Sequence, residues 1–268
     1  MRSGSAVRKA AKAAVLPAGA VSRRRRGDLV ILLYHRVGAG EGEISLSPQT
    51  FARHLAHLAE HERVLSLDAA LRGDSGGGVV VSFDDGYRDF AEQAVPLLDR
   101  YRIPAVLYLT TGLVAGEEGR GGSEALTWPQ LREAVASGLV TVGAHTHAHA
   151  DLSRASEHDA ERELRRSKEL IEDRLGVPCR HFAYPWAIGS PQADSVVRRL
   201  FDSAAWDAWK TNRRERIDRY RLGRTPVLRS DGEFFFRAKL NGLLDAEGLV
   251  YRAFGRGASR PASQEGVD

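Results

Sequence analysis

Cysteine is almost absent from the sequence, with Cys179 as the one example in 268 residues. A single cysteine excludes an internal disulfide framework and the paired cysteines of a zinc ribbon. Cys179 stands just before an apolar strand-like run, so we expect a small buried side chain rather than a reactive thiol. The chain must therefore be held together by its core, and its length is sufficient for one large domain.

A large excess of charge of one sign is also missing. Charged residues make up 28% of the chain, yet the net charge is only +4, because many arginines are nearly balanced by acids. The apolar content of 43% is ordinary for a globular protein. This balance gives no argument for nucleic acid, and we predict no nucleic-acid partner.

Residues 1–27 lack the uninterrupted apolar stretch of a secretory signal, because Lys12 and Pro17 break it. The segment is also too charged to span a bilayer, and it ends in four arginines, residues 23–26. We predict either a disordered basic tail or an amphipathic segment that makes a peripheral membrane contact with anionic lipid. We accordingly expect the protein in the cytoplasm or at the inner face of the membrane.

Two adjacent carboxylates, Asp84 and Asp85, follow the apolar run 79–81 and precede Gly86. The run predicts a buried parallel strand, and Gly86 predicts the turn that leaves it. Two carboxylates at the mouth of a buried strand repel each other unless a cation is present or one takes a proton. One of them could bind a metal while the other acts as a base. The alternative is that an aspartate caps the helix that follows.

Three histidines follow a second strand-like run, residues 140–142, about sixty positions later: His145, His147 and His149. His145 and His149 are four apart, so one helical turn would place both imidazoles on one face. Together with Asp85 they predict a three-ligand zinc site with one position open for water. The alternative is a set of exposed loop histidines. We expect His147 to point away from the metal.

These stretches resemble the motifs of a known family. SFDDG (82–86) and GAHTHAHADLS (143–153) resemble the first and second motifs of the polysaccharide deacetylases, that is, carbohydrate esterase family four with its chitooligosaccharide deacetylase homology domain. FAYPW (182–186) is similar to the third motif. YHRV (34–37) is similar to the opening strand of the exopolysaccharide and poly-N-acetylglucosamine deacetylases. The resemblance extends over residues 28–230.

The resemblance implies an α/β fold, a distorted and incomplete (β/α) barrel, and removal of N-acetyl groups from N-acetylhexosamine units of a glycan. It implies that Asp85, His145 and His149 bind Zn²⁺ or another borderline divalent metal. Asp84 is implied as the general base that takes a proton from water. The alternation of helical and strand-like segments independently favours a parallel barrel or a wound sheet, with the site at the carboxyl ends of the strands.

Two catalytic positions of the family are not matched directly. Ala183 stands where the third motif usually has an arginine that orients the base, and Arg224 resembles an arginine that recurs later in the exopolysaccharide subgroup. The family's late histidine is missing, and His35 is implied as the acid for the leaving amine. The alternatives are a surface arginine at position 224 and a buried structural histidine at position 35.

The third motif predicts the substrate contacts. The family uses the turn at Trp186 to supply a backbone N–H to the oxyanion. Tyr184 and Trp186 would form an aromatic wall for a sugar ring, or alternatively pack in the core. Ala187 replaces the glycine that usually ends the motif, so we expect a loop of different shape.

The remaining segments predict a single catalytic domain over residues 28–256, followed by a disordered tail, 257–268. Residues 234–254 predict a closing helix, and 156–175 predict a long helix with a solvated charged face. A helix over 48–61 carries three histidines that we expect on a solvated face: His54, His57 and His61.

Two other functions fit parts of the pattern. An altered third motif leaves room for an amidohydrolase that acts on a non-sugar amide. The unmatched catalytic positions would also fit a glycan-binding protein that has lost catalysis. Asp84 speaks against the second alternative, because a binding protein has no chemical need for a carboxylate that does not hold the metal.

Overall fold

The computed structural model of the chain describes residues 9–10, 12–17, 23–38, 40, 42–72, 76–114 and 124–248. The predicted disordered tail at 257–268 lies outside the described residues, as do parts of the segment 1–27.

The described residues form nine strands, seven of them in a closed parallel barrel. The strands are β1 (Leu29–Tyr34), β2 (Arg36–Val37), β3 (Ser45–Leu46), β4 (Gly78–Asp85), β5 (Ala105–Leu109), β6 (Val140–Ala144), β7 (His181–Ala183), β8 (Ser203–Ala208) and β9 (Leu222–Pro226). The barrel order is β1-β4-β5-β6-β7-β8-β9, closed by pairing of β9 with β1, while β2 and β3 pair separately. A ring of seven strands, one fewer than a complete (β/α)₈ barrel, confirms the predicted fold class.

Helices connect the barrel strands from β1 to β8, a short 3₁₀ turn (Arg214–Arg216) lies between β8 and β9, and one helix follows β9. The helices are α1 (Pro48–His61), α2 (Leu67–Leu71), α3 (Val95–Tyr101), α4 (Trp128–Ala136), α5 (Glu157–Leu175), α6 (Pro191–Leu200) and α7 (Gly232–Leu240). Five of them begin after a hydroxyl residue whose side chain accepts an N–H from the first turn: Ser47, Ser66, Thr127, Ser156 and Ser190. The predicted start of the helix over 48–61 agrees with the observed one, and the predicted start at 156 lies within one residue of the observed start of α5.

The barrel strands are buried on both faces, as their continuous apolar runs require. Between β1, β4 and α1, four aromatic rings pack edge-to-face or stacked, with centroids 4.9–5.7 Å apart: Tyr34, Phe51, Phe83 and Phe90. This packing fixes the ends of β1 and β4, the strands that lead to His35 and to the two aspartates.

Two predictions about the helices are wrong. The closing helix does not run through residues 234–248, because α7 stops at Leu240 and Gly242 adopts a left-handed φ of 68°. His54 is 1% exposed and stacks on Phe236 at 3.7 Å, so it does not lie on a solvated face. His54 is buried because it packs on Phe236 of α7, about 180 residues later in the chain. The spacing of residues within one helix cannot reveal such a partner.

The prediction of a disordered basic tail over residues 1–27 does not hold for its described part, and the membrane contact stays a prediction. Residues 12–17 are helical, and the Lys12 ammonium is buried against Asp231 and 3.0 Å from Ser230 Oγ. The backbone of Arg24 donates to Asn241 O, which ties the segment to the end of α7. Among the described residues, none of the helices has both the length and the apolar character needed to cross a membrane.

Candidate active site

The two aspartates converge because the backbone turns sharply at the end of β4. Asp85 has a left-handed φ of 75°, and Gly86 follows with φ 101°. A Cβ at position 86 would lie 2.5 Å from Leu109 Cδ1, so only glycine fits this turn. As a result His145 Nε2 lies 3.7 Å from Asp84 Oδ2 and 3.7 Å from Asp85 Oδ1.

Asp85, His145 and His149 offer three ligand atoms that lie within 4.8 Å of one another. His145 Nδ1 lies 2.7 Å from the carbonyl oxygen of Ala183, which can only accept, so Nδ1 must carry the proton. Nε2 therefore presents its lone pair toward the aspartates, the tautomer that a metal ligand needs. Burial lowers the pKa of His145, which also favours the neutral ring.

The Asp85 carboxylate has the features of an anionic metal ligand. Its Oδ1 is buried and has no hydrogen-bond partner within the described part of the chain. The same atom lies 3.4 Å from His149 Nε2. Burying an unpartnered carboxylate oxygen is costly, and a divalent cation between these ligands would remove that cost. The donor set of one carboxylate and two imidazoles is the one that the sequence predicted, and it fits a metal ion.

The segment that carries His145 and His149 is a loop and not a helical turn. The expectation that helical spacing places both rings on one face is therefore wrong, although the rings do meet, with centroids 5.0 Å apart. Thr146 and His149 take left-handed φ values of 65° and 54°, which fold the loop back on itself. His147 turns away and lies 2.9 Å from Thr111 Oγ1 through its Nδ1.

Backbone strain is concentrated at this site. Seven non-glycine residues in the described ranges have a positive φ, and five of them lie here: Asp85, Thr146, His149, Trp186 and Ala187. Left-handed backbone at such residues costs on the order of 1–3 kcal/mol each and persists only where the surroundings enforce it. The cluster of strained residues marks the carboxyl ends of β4, β6 and β7 as a functional region.

Asp84 is held by a two-pronged ion pair with Arg224 on β9. The Nη1–Oδ1 distance is 2.5 Å and the Nη2–Oδ2 distance is 2.9 Å, and both side chains are almost fully buried. Burial raises the pKa of Asp84, but the Arg224 guanidinium outweighs it, so the pKa is lowered and the carboxylate is ionised near neutral pH. The guanidinium also lies over the Tyr108 ring, 5.3 Å from its centroid. The alternative of a surface arginine is thus excluded for Arg224.

The other predicted site residues divide into those that reach the site and one that does not. His35 is half-buried after β1 and lies near enough to contribute to the lowered pKa of both Asp84 and Asp85. The Trp186 ring is half-exposed and meets His149 edge-to-face, with centroids 4.4 Å apart. Their catalytic and binding roles stay predictions.

Tyr184 is the residue for which the prediction is wrong. It is fully buried, and its ring packs on Phe182 at 4.9 Å and on Trp206 at 4.2 Å. A ring enclosed on both sides by aromatic neighbours cannot stack on a sugar. The alternative of core packing therefore holds for Tyr184.

Sequence reasoning missed the residues that hold the histidine loop. Glu163 on α5 accepts the backbone N–H groups of His147 and Ala148, and Gly112 donates its N–H to His147 O at 2.8 Å. Nothing in the sequence separates Glu163 from the other acids of the same helix.

Residues 72–200 match the family model described as polysaccharide deacetylase. In the curated proteins, the poly-beta-1,6-N-acetyl-D-glucosamine N-deacetylase of Staphylococcus aureus (strain MRSA252) is 27% identical over 169 residues, which cover 58% of this chain and 58% of the relative. The chain spans less than two thirds of the length of the first curated relatives that it matches.

Solved structures with the same fold include IcaB from Ammonifex degensii. It superposes with a TM-score of 0.70 and 27% identity, over 82% of this chain and 98% of that chain. The Streptococcus pyogenes deacetylase PplD in complex with acetate has a TM-score of 0.71 and 22% identity, over 80% of this chain and 99% of that one. The second likeness concerns the fold alone.

Proposed function

We propose that this chain, which belongs to the polysaccharide deacetylase family, is a metal-dependent hydrolase that removes N-acetyl groups from N-acetylhexosamine units of a glycan. The observation that carries the proposal is the group Asp85, His145 and His149 directly beside the ion pair of Asp84 with Arg224. This arrangement combines three ligands for a cation with an ionised carboxylate, and amide hydrolysis needs both.

Asp85, His145 and His149 would hold the metal, for which we propose zinc. Two imidazoles and one carboxylate leave an open position in a four-coordinate zinc site, as catalytic zinc requires, and another borderline divalent metal would suit the same ligands. When bound, the cation supplies a Lewis acid that polarises the amide carbonyl and lowers the pKa of a water molecule.

Asp84 is proposed as the general base. Its carboxylate is ionised and lies 3.7 Å from His145 Nε2, so a water molecule beside the ligands is within its reach. Arg224 binds both carboxylate oxygens and thereby fixes their orientation without taking the proton. His35, near both aspartates, is proposed to give a proton to the leaving amine.

The turn after β7 is proposed to bind the acetyl oxygen and the sugar. Ala187 and Ile188 donate their N–H groups within the turn, to Tyr184 O and Pro185 O at 3.1 Å. The proposed oxyanion donor is therefore the N–H of Trp186. The half-exposed Trp186 ring offers an apolar face to a sugar ring.

A glycan substrate is supported by the relative from Staphylococcus aureus, whose name gives poly-β-1,6-N-acetyl-D-glucosamine as its substrate. Within this class we propose an exopolysaccharide, a cell-wall glycan or its lipid-linked precursor. Acetate release from these N-acetylated glycans, measured with metal-stripped protein before and after addition of Zn²⁺, tests the proposal. We expect release only after metal addition. Release without metal, or no release from any of these glycans after metal addition, would contradict it.

A further inference from the structure

The loop between the two histidine ligands is held from outside by one carboxylate. Glu163 Oε2 lies 3.2 Å from the backbone N of His147 and 2.9 Å from that of Ala148. Two consecutive backbone N–H groups that point at one oxygen form a concave anion-binding arrangement. The left-handed φ of Thr146, the residue just before, is what turns both N–H groups to the same side.

Glu163 comes from a rigid part of the molecule. It lies on α5, next to a row of residues that face the core: Ala160, Leu164, Ser167 and Ile171. Glu163 itself is half-buried, and the helix fixes the position of its backbone. The contact therefore links the packed helix to the loop that carries the ligands.

The opposite side of the loop is held by the end of β5. Gly112 N donates to His147 O at 2.8 Å, and a Cβ at position 112 would lie 2.6 Å from that oxygen. These contacts are made by backbone, whereas Glu163 is a side chain that can be altered without changing the strand. The Glu163 contact is also charge-assisted, which makes it stronger than a bond between neutral groups.

We propose that Glu163 is a positioning residue for the metal site: its carboxylate fixes the loop 146–148, so that His145 and His149 point at one cation together with Asp85. This inference rests on the proposed metal-dependent function. Glu163 does not touch the ligand side chains and acts only through the backbone between them. Groups that orient metal ligands in this way typically change metal affinity about 10–100-fold when they are removed.

The test is the Zn²⁺ dissociation constant, measured on metal-stripped full-length protein by competition with a chromophoric chelator. Glu163→Ala is expected to weaken zinc binding about 10–100-fold. Glu163→Gln keeps a carbonyl oxygen at the same distance and is expected to stay within about threefold of wild type. Glu169→Ala is the matched control, because Glu169 is an exposed acid on the same helix. It is expected to leave the affinity unchanged within about twofold.

A second measurement separates positioning from a general loss of structure. Amide hydrogen exchange in Glu163→Ala should accelerate at His147 and Ala148, while the barrel strands keep the protection seen in Glu169→Ala. If Glu163→Ala does not fold, Glu163→Asp takes its place, since it keeps the charge but shortens the side chain. The shorter side chain is expected to weaken zinc binding at least fivefold.

The outcomes separate this inference from the function on which it rests. Wild-type protein that binds zinc, together with a Glu163→Ala or Glu163→Asp variant of equal affinity, would reject the positioning role alone. Equal losses in Glu163→Gln and Glu163→Ala would also reject it, because the amide oxygen can accept the same N–H groups. Wild-type protein that binds no zinc would reject the proposed function and the inference with it.

Discussion

Two buried clusters of charged residues within the described part of the chain are balanced differently. In the first, Asp84 and Asp85 share the site with two imidazoles and with Arg224, which pairs only with Asp84. In the second, Asp231 and Glu247 each contact both Lys12 and Lys239. The first cluster has one basic side chain for two carboxylates. The second cluster has two basic side chains for two carboxylates.

This difference separates a binding site from a structural ion network. Lys239 Nζ lies 2.8 Å from Asp231 Oδ2 and 3.3 Å from Glu247 Oε2, so the protein itself supplies the compensating charge. Asp85 has no ammonium or guanidinium partner within the described ranges, and its orphaned oxygen lies 3.7 Å from His145 Nε2 and 3.4 Å from His149 Nε2. A buried carboxylate that the chain does not neutralise fits the external cation that we propose for this site.

Asp84→Asn is the change with the largest expected effect, and it breaks the first cluster without removing a metal ligand. The amide keeps the shape of the carboxylate but cannot accept a proton from water. We expect kcat/KM for acetate release to fall roughly 10³-fold, while bound zinc measured by elemental analysis stays at the wild-type level.

The control for this change is Asp99→Asn, an exposed carboxylate that pairs with Arg102 at 2.8 Å. It should leave kcat/KM within about twofold of wild type, since exposed pairs contribute little. If Asp84→Asn lost less than tenfold in kcat/KM, Asp84 would not be the general base. If it lost its zinc instead, the separation of base from ligands would be wrong.

Lys12→Met changes the second cluster and should affect stability alone. Removing one lysine leaves Asp231 and Glu247 with a single buried cation between them. We expect the free energy of unfolding, from chemical denaturation, to fall by about 3 kcal/mol, as for other broken buried pairs. Zinc affinity and kcat/KM of the folded variant should stay at the wild-type values.

Lys9→Met is the matched control, because Lys9 is an exposed lysine of the same N-terminal segment. It should change the free energy of unfolding by less than about 0.5 kcal/mol. An unchanged stability in Lys12→Met would show that residues 12–17 do not hold the fold together in solution. A loss of zinc affinity would show that the two clusters are coupled.

The first cluster was predictable from the sequence and the second was not, for a physical reason. Asp84, Asp85, His145 and His149 stand where apolar runs end, and parallel strands bring such ends to one edge. Lys12 and Asp231 are 219 residues apart, and neither follows a pattern that local sequence rules can read. An isolated lysine in a basic segment is normally exposed.

Side-chain direction limited the prediction within the site as well. Tyr184 and Trp186 are two residues apart in one motif, yet the first is enclosed by Phe182 and Trp206 while the second is half-exposed. The left-handed backbone of Trp186 and Ala187 makes the difference. Such strain is imposed by tertiary packing, so sequence spacing could locate the motif but not the orientation of its rings.

His54 allows a further comparison with the histidines of the first cluster. It is a buried histidine beside the second cluster, and among the described residues it does not belong to a group of metal ligands. Burial lowers its pKa to about 4, against the opposing influence of Glu233 and Asp231. The folded pKa lies below the unfolded value of about 6.5, so the unfolded chain binds more protons between these two values. The contribution of the neutral His54 ring to the free energy of unfolding is therefore fully present above pH 6.5. It is lost as the pH falls toward 4.

We expect the free energy of unfolding contributed by His54 to fall by roughly 2 kcal/mol between pH 7 and pH 5. In His54→Phe, which keeps a ring against Phe236, this part of the pH dependence should disappear. His61→Gln, at the exposed end of the same helix, should retain it. An unchanged slope in His54→Phe would mean that other groups cause the acid sensitivity. Glu247 of the second cluster would then be the next group to replace, since burial raises the pKa of that carboxyl.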